Sequence, residues 1–448
     1  MDALTKKTAR NSSYSTIAFI WPILLAFFVT PFIVHALGTE QYGIYSLVIA
    51  FVGFFGFLDL GIAPSLVKYV SEYNARKDDN AINLLFNSAL FLYLTIGIMA
   101  AFLIAGFGRF YAPDVWKTSA ENAPLLQTVL YIAAIGFLIN MVLTAFSALP
   151  SALQRFDITS KINLVVTTIS TGLTVLLLLA GEGLVAIVAL GIFTSLAALL
   201  VYHFINRRLL PALRLKPHID RKMLKLVLVF GGYATIGTLA SVILLQLDKF
   251  IIGATLGASA VAFYVIPGNL AVKIHGTISA LTAIIFPLSS ELFATGNLER
   301  LHSLYFRATR LVLTFITVAV TPMYVFAHPF LLHWIGVSFA QNSTLVMQLL
   351  LATYSILSLT AIPFFVLYGA GKPKMAALFS VISGVLNVAL ILILIPRFGI
   401  NGAAFAYLLS VLPCILFVRY VEKKVLRLSV RAFYVGIGPR LMVLFGAS

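Results

Sequence analysis

Leu37-Gly38-Thr39-Glu40-Gln41-Tyr42-Gly43-Ile44-Tyr45 returns 219 positions later as Leu256-Gly257-Ala258-Ser259-Ala260-Val261-Ala262-Phe263-Tyr264. In both copies a Leu-Gly pair separates one long apolar run from the next. Val70-Ser71-Glu72 returns as Ser289-Ser290-Glu291 at the same shift. Later in each half, Gly183-Leu184 and Arg207-Arg208 correspond to Gly399-Ile400 and Lys423-Lys424, a shift of 216. A duplicated chain built from apolar segments points to a transporter-like membrane architecture, in which a binding site lies where the repeats meet.

Composition agrees. Of 448 residues, 61% are hydrophobic and 10% charged, less than half the charge of a soluble domain. Mean hydropathy is +1.02. The single cysteine, Cys414, excludes an intramolecular disulfide framework and a CxxC site. A net charge of +16 would suit nucleic acid, but the basic residues sit in short segments between apolar runs, the pattern of cytoplasmic loops. No nucleic-acid partner is expected. The first run, Tyr14 to Leu37, is longer than the apolar core of a secretory signal and has a repeat partner deep in the chain, so it reads as a retained helix.

Windows of about 20 apolar residues predict an all-α polytopic protein of about 12 spans. In the first half they lie near Tyr14–Leu37, Tyr42–Ile62, Ile82–Phe107, Leu125–Leu149, Ile162–Ala180 and Leu184–Phe204. In the second they lie near Leu224–Leu256, Val261–Leu288, Leu311–Leu332, Leu345–Leu367, Ala376–Ile395 and Ile400–Val418. The runs are too long, and too little alternating, for barrel strands. Of the 31 Lys and Arg residues, only Arg109, Lys117 and Arg397 fall in loops on one side, and Lys249 and Lys273 fall inside spans. The remainder lie on the other side, which places both termini in the cytoplasm. Six spans per half make the repeats parallel, giving lobes 1–206 and 226–425, a basic linker 207–225 and a tail 426–448 that is cytoplasmic or interfacial. The apolar stretch after Arg431 reads as an interfacial segment or the stub of a thirteenth helix.

Catalytic signatures are missing. Gly369-Ala370-Gly371-Lys372-Pro373 lacks the spacing of a phosphate loop, and the seven histidines form no zinc motif, so neither catalytic nor metal-ligating residues are assigned and no cofactor is expected. Gly253 and Gly257 match GxxxG, which reads as helix packing or a helix end. The informative residues are ionisable groups inside spans, where a charge costs about 2.5–3.5 kcal/mol and normally faces water or a partner. Asn269, Lys273 and Thr277 are spaced i, i+4, i+8 and form a polar stripe on one face of the eighth span. His275 is close by on another face. Lys273 lines a wet cavity, or else it snorkels or is tied to a carbonyl. The corresponding first-half position is Phe54, so this charge belongs to one lobe alone. Asp248 and Lys249 lie in the seventh span. As helix neighbours about 100° apart they cannot simply neutralise each other, leaving an anion-attracting or ion-coupling site or an interhelical salt bridge. Asp59 stands near the cytoplasmic end of the second span as a further ion-coupling candidate. Glu72 and Glu291 read as structural partners of basic loop residues.

Several stretches, taken in order, resemble the polysaccharide and O-antigen flippases of the multidrug/oligosaccharidyl-lipid/polysaccharide exporter superfamily. They are Leu37 to Tyr45, Phe57-Leu58-Asp59-Leu60-Gly61 leading into Lys68-Tyr69-Val70-Ser71-Glu72, Leu247-Asp248-Lys249-Phe250-Ile251-Ile252-Gly253, and Phe398-Gly399-Ile400-Asn401-Gly402-Ala403-Ala404. The resemblance implies two six-helix lobes around a central cavity in the inner membrane. It implies transport of an undecaprenyl-type lipid-linked oligosaccharide to the outer leaflet, with membrane lipids, a polysaccharide polymerase and assembly proteins as partners. A cationic cavity would offset the charge of a pyrophosphate, through Lys273, Asn269, Thr277, His275 and Lys249. Two competing readings are an ion-coupled multidrug exporter of the same superfamily and a non-transporting membrane scaffold for glycan assembly. The first is disfavoured because the first span holds no carboxylate, the second by the two-lobed symmetry with buried charge.

Overall fold

The computed structural model describes residues 3–216 and 219–428, so the tail segment after Arg431 lies outside the described residues. Among the described residues there are helices and turns and no strand. The helices are α1 (Ala3–Phe54), α2 (Ile62–Ala75), α3 (Asp79–Phe110), α4 (Ala112–Val115), α5 (Ala123–Ala152), α6 (Phe156–Leu179), α7 (Leu184–Leu209) and α8 (Arg221–Leu256). They continue as α9 (Ala258–Thr282), α10 (Ile285–Ala294), α11 (Leu298–Phe315), α12 (Thr321–Val325), α13 (Ala327–Trp334), α14 (Val337–Gly369), α15 (Pro373–Val411) and α16 (Pro413–Tyr420).

Among the described residues nine stretches are long and apolar enough to cross a membrane. Two of these are double spans, because α1 turns at Gly38 and α15 turns at Gly399, each with non-helical backbone angles. With α8, which carries the apolar run Leu224–Leu256, the described helices are consistent with about 12 spans. The repeat is visible in the backbone. Gly38 (φ 77, ψ 168) and Gly257 (φ 85, ψ 177) adopt the same left-handed, extended corner 219 residues apart. Asp78 caps α3 by accepting from the Ala81 N–H at 2.9 Å, and Asn297, again 219 residues on, caps α11 through the Arg300 N–H at 3.1 Å. In each half the second span is also interrupted before its end, at Leu60–Gly61 and between Thr282 and Ile285.

Two boundaries differ from the sequence reading. The ninth span begins at Leu298 and ends at Val325, not 311–332. Its first turns carry Arg300, Arg307 and Arg310 on a face opposite buried Leu301, Tyr305 and Ala308, an amphipathic pattern that a hydropathy window misses. Lys68 likewise stands on a helix, α2, rather than in a loop.

By Cα packing the chain forms two compact units, Met1–Ser259 and Ala260–Ser448. In the first, α5 is the hub, packed against α3 and α7, while α1 packs on α6. In the second, α14 is the hub for α10, α13 and α15, with 56% of its most apolar window buried.

Within the first unit α8 lies against α1 to α3 along its length. At one end, a Cβ on Gly61 would come 2.4 Å from the Gly231 carbonyl oxygen, and one on Gly231 would come 2.2 Å from that of Leu60. Next to this contact the Ser65 hydroxyl lies 2.7 Å from the Gly61 carbonyl oxygen and 3.1 Å from that of Val227. On the opposite side Gly43 abuts the Ala258 carbonyl, and Lys117 Nζ donates to the Thr255 carbonyl at 2.9 Å. Between them, the Phe250 ring lies 5.7 Å from Phe51, 6.0 Å from Phe54 and 6.1 Å from Trp116. The GxxxG pair serves both readings: Gly253 packs under Leu47, and Gly257 terminates α8.

The basic linker is held by the start of α3. Asn83 donates to the Ala212 carbonyl at 2.9 Å and accepts from the Arg214 N–H. One turn later, Asn87 donates to the Arg214 carbonyl at 2.8 Å and accepts from the Lys216 N–H at 2.9 Å. Ser88 accepts from the Asp220 N–H at 3.0 Å. Two amides four residues apart therefore replace the backbone partner that an extended segment lacks.

Candidate functional site

The singled-out residues fall in both units. Asp59, Asp248 and Lys249 belong to the first; Asn269, Lys273, His275 and Thr277 belong to the second.

In the second unit α9 presents the polar stripe. Asn269 is exposed and Lys273 half-buried, and the Thr277 hydroxyl donates back to the Lys273 carbonyl at 2.9 Å. That bond is local and leaves the ammonium untouched. Among the described residues no ion pair takes Lys273. The helix thus carries an intramembrane cation that no carboxylate pairs with among the described residues. His275 lies elsewhere on the helix: its Nδ1 is 3.0 Å from the Ser358 hydroxyl on α14, and its ring lies 5.8 Å from Tyr354. Tyr354 in turn meets Tyr407 edge-on at 5.6 Å. His275 is therefore built into the α9–α14 packing rather than into the stripe.

In the first unit Asp248 is 8% exposed, and its carboxylate accepts from the Lys249 N–H at 2.8 Å. The Lys249 ammonium donates to Gln246 Oε1 at 2.8 Å. Gln246 is the side chain that faces Gly53 of α1, so this polar group sits where α1 and α8 pack. Asp59 accepts a short hydrogen bond from the hydroxyl of fully buried Tyr93 on α3. The same carboxylate oxygen lies 3.4 Å from the Ala63 N–H, so it also covers an unpaired donor at the start of α2. Of the glutamates, Glu72 pairs with Arg76 at 2.7 Å within α2.

Three polar constellations escaped the sequence reading. Tyr93 gave no signal because its partner is 34 residues away. In the second unit the Tyr305 hydroxyl donates to Glu422 at 3.0 Å, Arg419 pairs with the same carboxylate at 3.1 Å, and Glu422 is only 3% exposed. The third is Lys68, whose ammonium lies 4.5 Å from the Tyr69 ring centroid and 4.4 Å from that of Phe230. The Lys-Tyr dipeptide was visible, but Phe230 lies on another helix. Among the described residues no group of three or more His, Cys, Asp or Glu side chains forms a metal site.

Comparison with known proteins gives the family and the fold. Residues 8–293 match the family described as polysaccharide biosynthesis protein. A Shigella flexneri protein named as a candidate O-antigen transporter is 24% identical over 404 residues, covering 90% of this chain and 94% of that protein. Among solved structures, the lipid II flippase MurJ in an inward closed conformation superposes with a TM-score of 0.71 at 14% identity, over 96% of this chain and 91% of that one. An inward-facing multidrug resistance transporter of the MATE family superposes with a TM-score of 0.69 at 13% identity, over 91% of this chain and 96% of that one. At such identity the likeness is one of fold.

Proposed function

Because the chain belongs to the polysaccharide biosynthesis protein family, we propose that it carries a lipid-linked oligosaccharide of undecaprenyl-pyrophosphate type from the inner to the outer leaflet by alternating access. The observation that carries this reading is Lys273, half-buried within a span and taken by no ion pair among the described residues. A cation at that depth is costly unless an anion visits it. Pyrophosphate is the anion that a polyprenyl-linked glycan brings, and the exposed Asn269 one turn away adds a hydrogen-bonding group for sugar or phosphate. The O-antigen name of the Shigella flexneri relative, alignable over nearly its whole length, supports a glycan cargo.

The proposal includes lobes 1–206 and 226–425 joined by the linker 207–225, both termini in the cytoplasm, and residence in the inner membrane. The protein acts as a transporter rather than an enzyme, and it delivers cargo to a polymerase and assembly proteins. Asp59 and Asp248 are the coupling candidates.

The test is reconstitution in vesicles with a lipid-linked oligosaccharide that carries a fluorescent sugar, read by an impermeant quencher. Lys273→Ala is expected to slow flipping at least tenfold while Lys273→Arg keeps most of the rate, both with unchanged insertion. Equal rates for wild type and Lys273→Ala refute the role of this lysine. Repeating the assay across proton and sodium gradients with Asp59→Asn and Asp248→Asn tests the coupling candidates. A rate insensitive to both gradients removes them.

A further inference from the structure

We infer that the cytoplasmic end of the α2–α8 packing carries a site for the phosphate head group of an anionic phospholipid, separate from the Lys273 stripe. A cavity of about 440 Å³ opens there, lined by Tyr69 of α2 and by Lys222, Lys225, Leu226, Val229 and Phe230 of α8. Lys222 and Lys225 are three residues apart and share a helix face. Lys68 adds a third cation beside this lining, its ammonium held over the Tyr69 and Phe230 rings at 4.5 and 4.4 Å. A cation fixed by two rings is positioned before any ligand arrives.

Among the described residues nothing acidic pairs with these lysines: no ion pair takes Lys68, Lys222 or Lys225. The nearest carboxylate in sequence, Asp220, accepts from the Lys222 and Met223 backbone N–H groups at 2.9 Å as the α8 cap. Glu72 is occupied by Arg76.

The cavity also has a polarity gradient. From Lys222 to Phe230 the helix rises by about 12 Å, from a charged mouth to an apolar floor. The surface beside that floor exposes Leu228 by 42% and Val229 by 59%. A free phosphate ion would use only the mouth; a phospholipid uses both, with head group at the lysines and acyl chain along Leu226, Val229 and Phe230. A lipid seated here would bridge α2 and α8 beside the Gly61–Gly231 contact.

The full chain, purified in detergent, can be titrated by native mass spectrometry with phosphatidylglycerol, phosphatidylethanolamine and inorganic phosphate. The test variant is Lys68→Gln/Lys222→Gln/Lys225→Gln. The control, Arg207→Gln/Arg208→Gln/Lys216→Gln, removes the same charge from the linker. Phosphatidylglycerol is expected to bind wild type and control alike, and the test variant about a hundredfold more weakly, each lysine being worth roughly a fivefold factor. Phe230→Leu keeps the apolar floor and removes a ring, and should also weaken binding. The inference fails if both triple variants lose affinity equally, if phosphatidylethanolamine binds as tightly as phosphatidylglycerol, or if inorganic phosphate displaces the lipid at equal concentration. The readout is independent of flipping, so it stands or falls apart from the proposed function.

Discussion

Replacing the two glycines where α2 meets α8 gives the sharpest test of the packing. A Cβ on Gly231 would stand 2.2 Å from the Leu60 carbonyl oxygen, and one on Gly61 would stand 2.5 Å from the Gly231 Cα. Ordinary carbon contacts begin near roughly 3.5 Å, so either alanine must push backbone against backbone by about 1 Å, with no flexible side chain to yield. Overpacking of that kind costs about 1–3 kcal/mol. The two alanines differ in what accompanies it. Gly61 has φ +67, where an L-residue adds about 1 kcal/mol of strain. Gly231 is helical, where alanine regains about 1 kcal/mol of propensity. Gly61→Ala should therefore cost about 2–4 kcal/mol and Gly231→Ala about 0–2 kcal/mol. The double variant should lose less than the sum, because the second methyl enters a gap the first has opened. Thermal unfolding in detergent, followed by intrinsic fluorescence on all four proteins, reads the order and the coupling. If Gly231→Ala destabilises more than Gly61→Ala, or the two effects add, the α2–α8 contact is not as described.

Other substitutions probe the remaining polar contacts. Asn87→Ala strips a donor from the Arg214 carbonyl and an acceptor from the Lys216 N–H; limited trypsin digestion should cleave after Arg214 faster than in wild type, the Lys216–Pro217 bond being resistant to trypsin, and an unchanged pattern would refute the clamp. Tyr93→Phe leaves the Asp59 carboxylate short of its buried donor, and a loss of about 1–3 kcal/mol should appear as a lower melting temperature. Should Asp59→Asn melt with wild type while Tyr93→Phe falls, the hydroxyl matters for packing rather than for the carboxylate. A double-mutant cycle of His275→Ala and Ser358→Ala should return a coupling of about 0.5–1.5 kcal/mol, whereas zero coupling would detach His275 from α14.

The helices were legible because apolar length alone forces them: in hydrocarbon a backbone must satisfy its own hydrogen bonds. The repeat was legible at Gly38 and Gly257 because a corner with positive φ excludes most other residues, so the sequence had to show it. The start of the ninth span was not, since Arg300, Arg307 and Arg310 dilute the hydropathy of an amphipathic helix whose buried face is continuous. Of the candidate site, composition exposed the ionisable residues but not their neighbours. Periodicity placed Lys273 and His275 on different faces, and His275 indeed meets Ser358, 83 residues away. Asp59 met Tyr93, and Lys68 met Phe230, through helix packing that no local spacing encodes. Nothing in the sequence sets the asparagines at 83 and 87 apart; only the returning linker gives them a task.

The matched corners at Gly38 and Gly257 bear on how the two copies have aged. Since one pattern is written twice in one chain, each half is a record of what the other was free to change. Around those corners six of the nine aligned positions have drifted, Thr39 against Ala258 and Gln41 against Ala260 among them, while the bend has kept its shape. Saturation mutagenesis should then show an intolerant corner in each copy, with a further one at Gly43, where a Cβ would meet the Ala258 carbonyl.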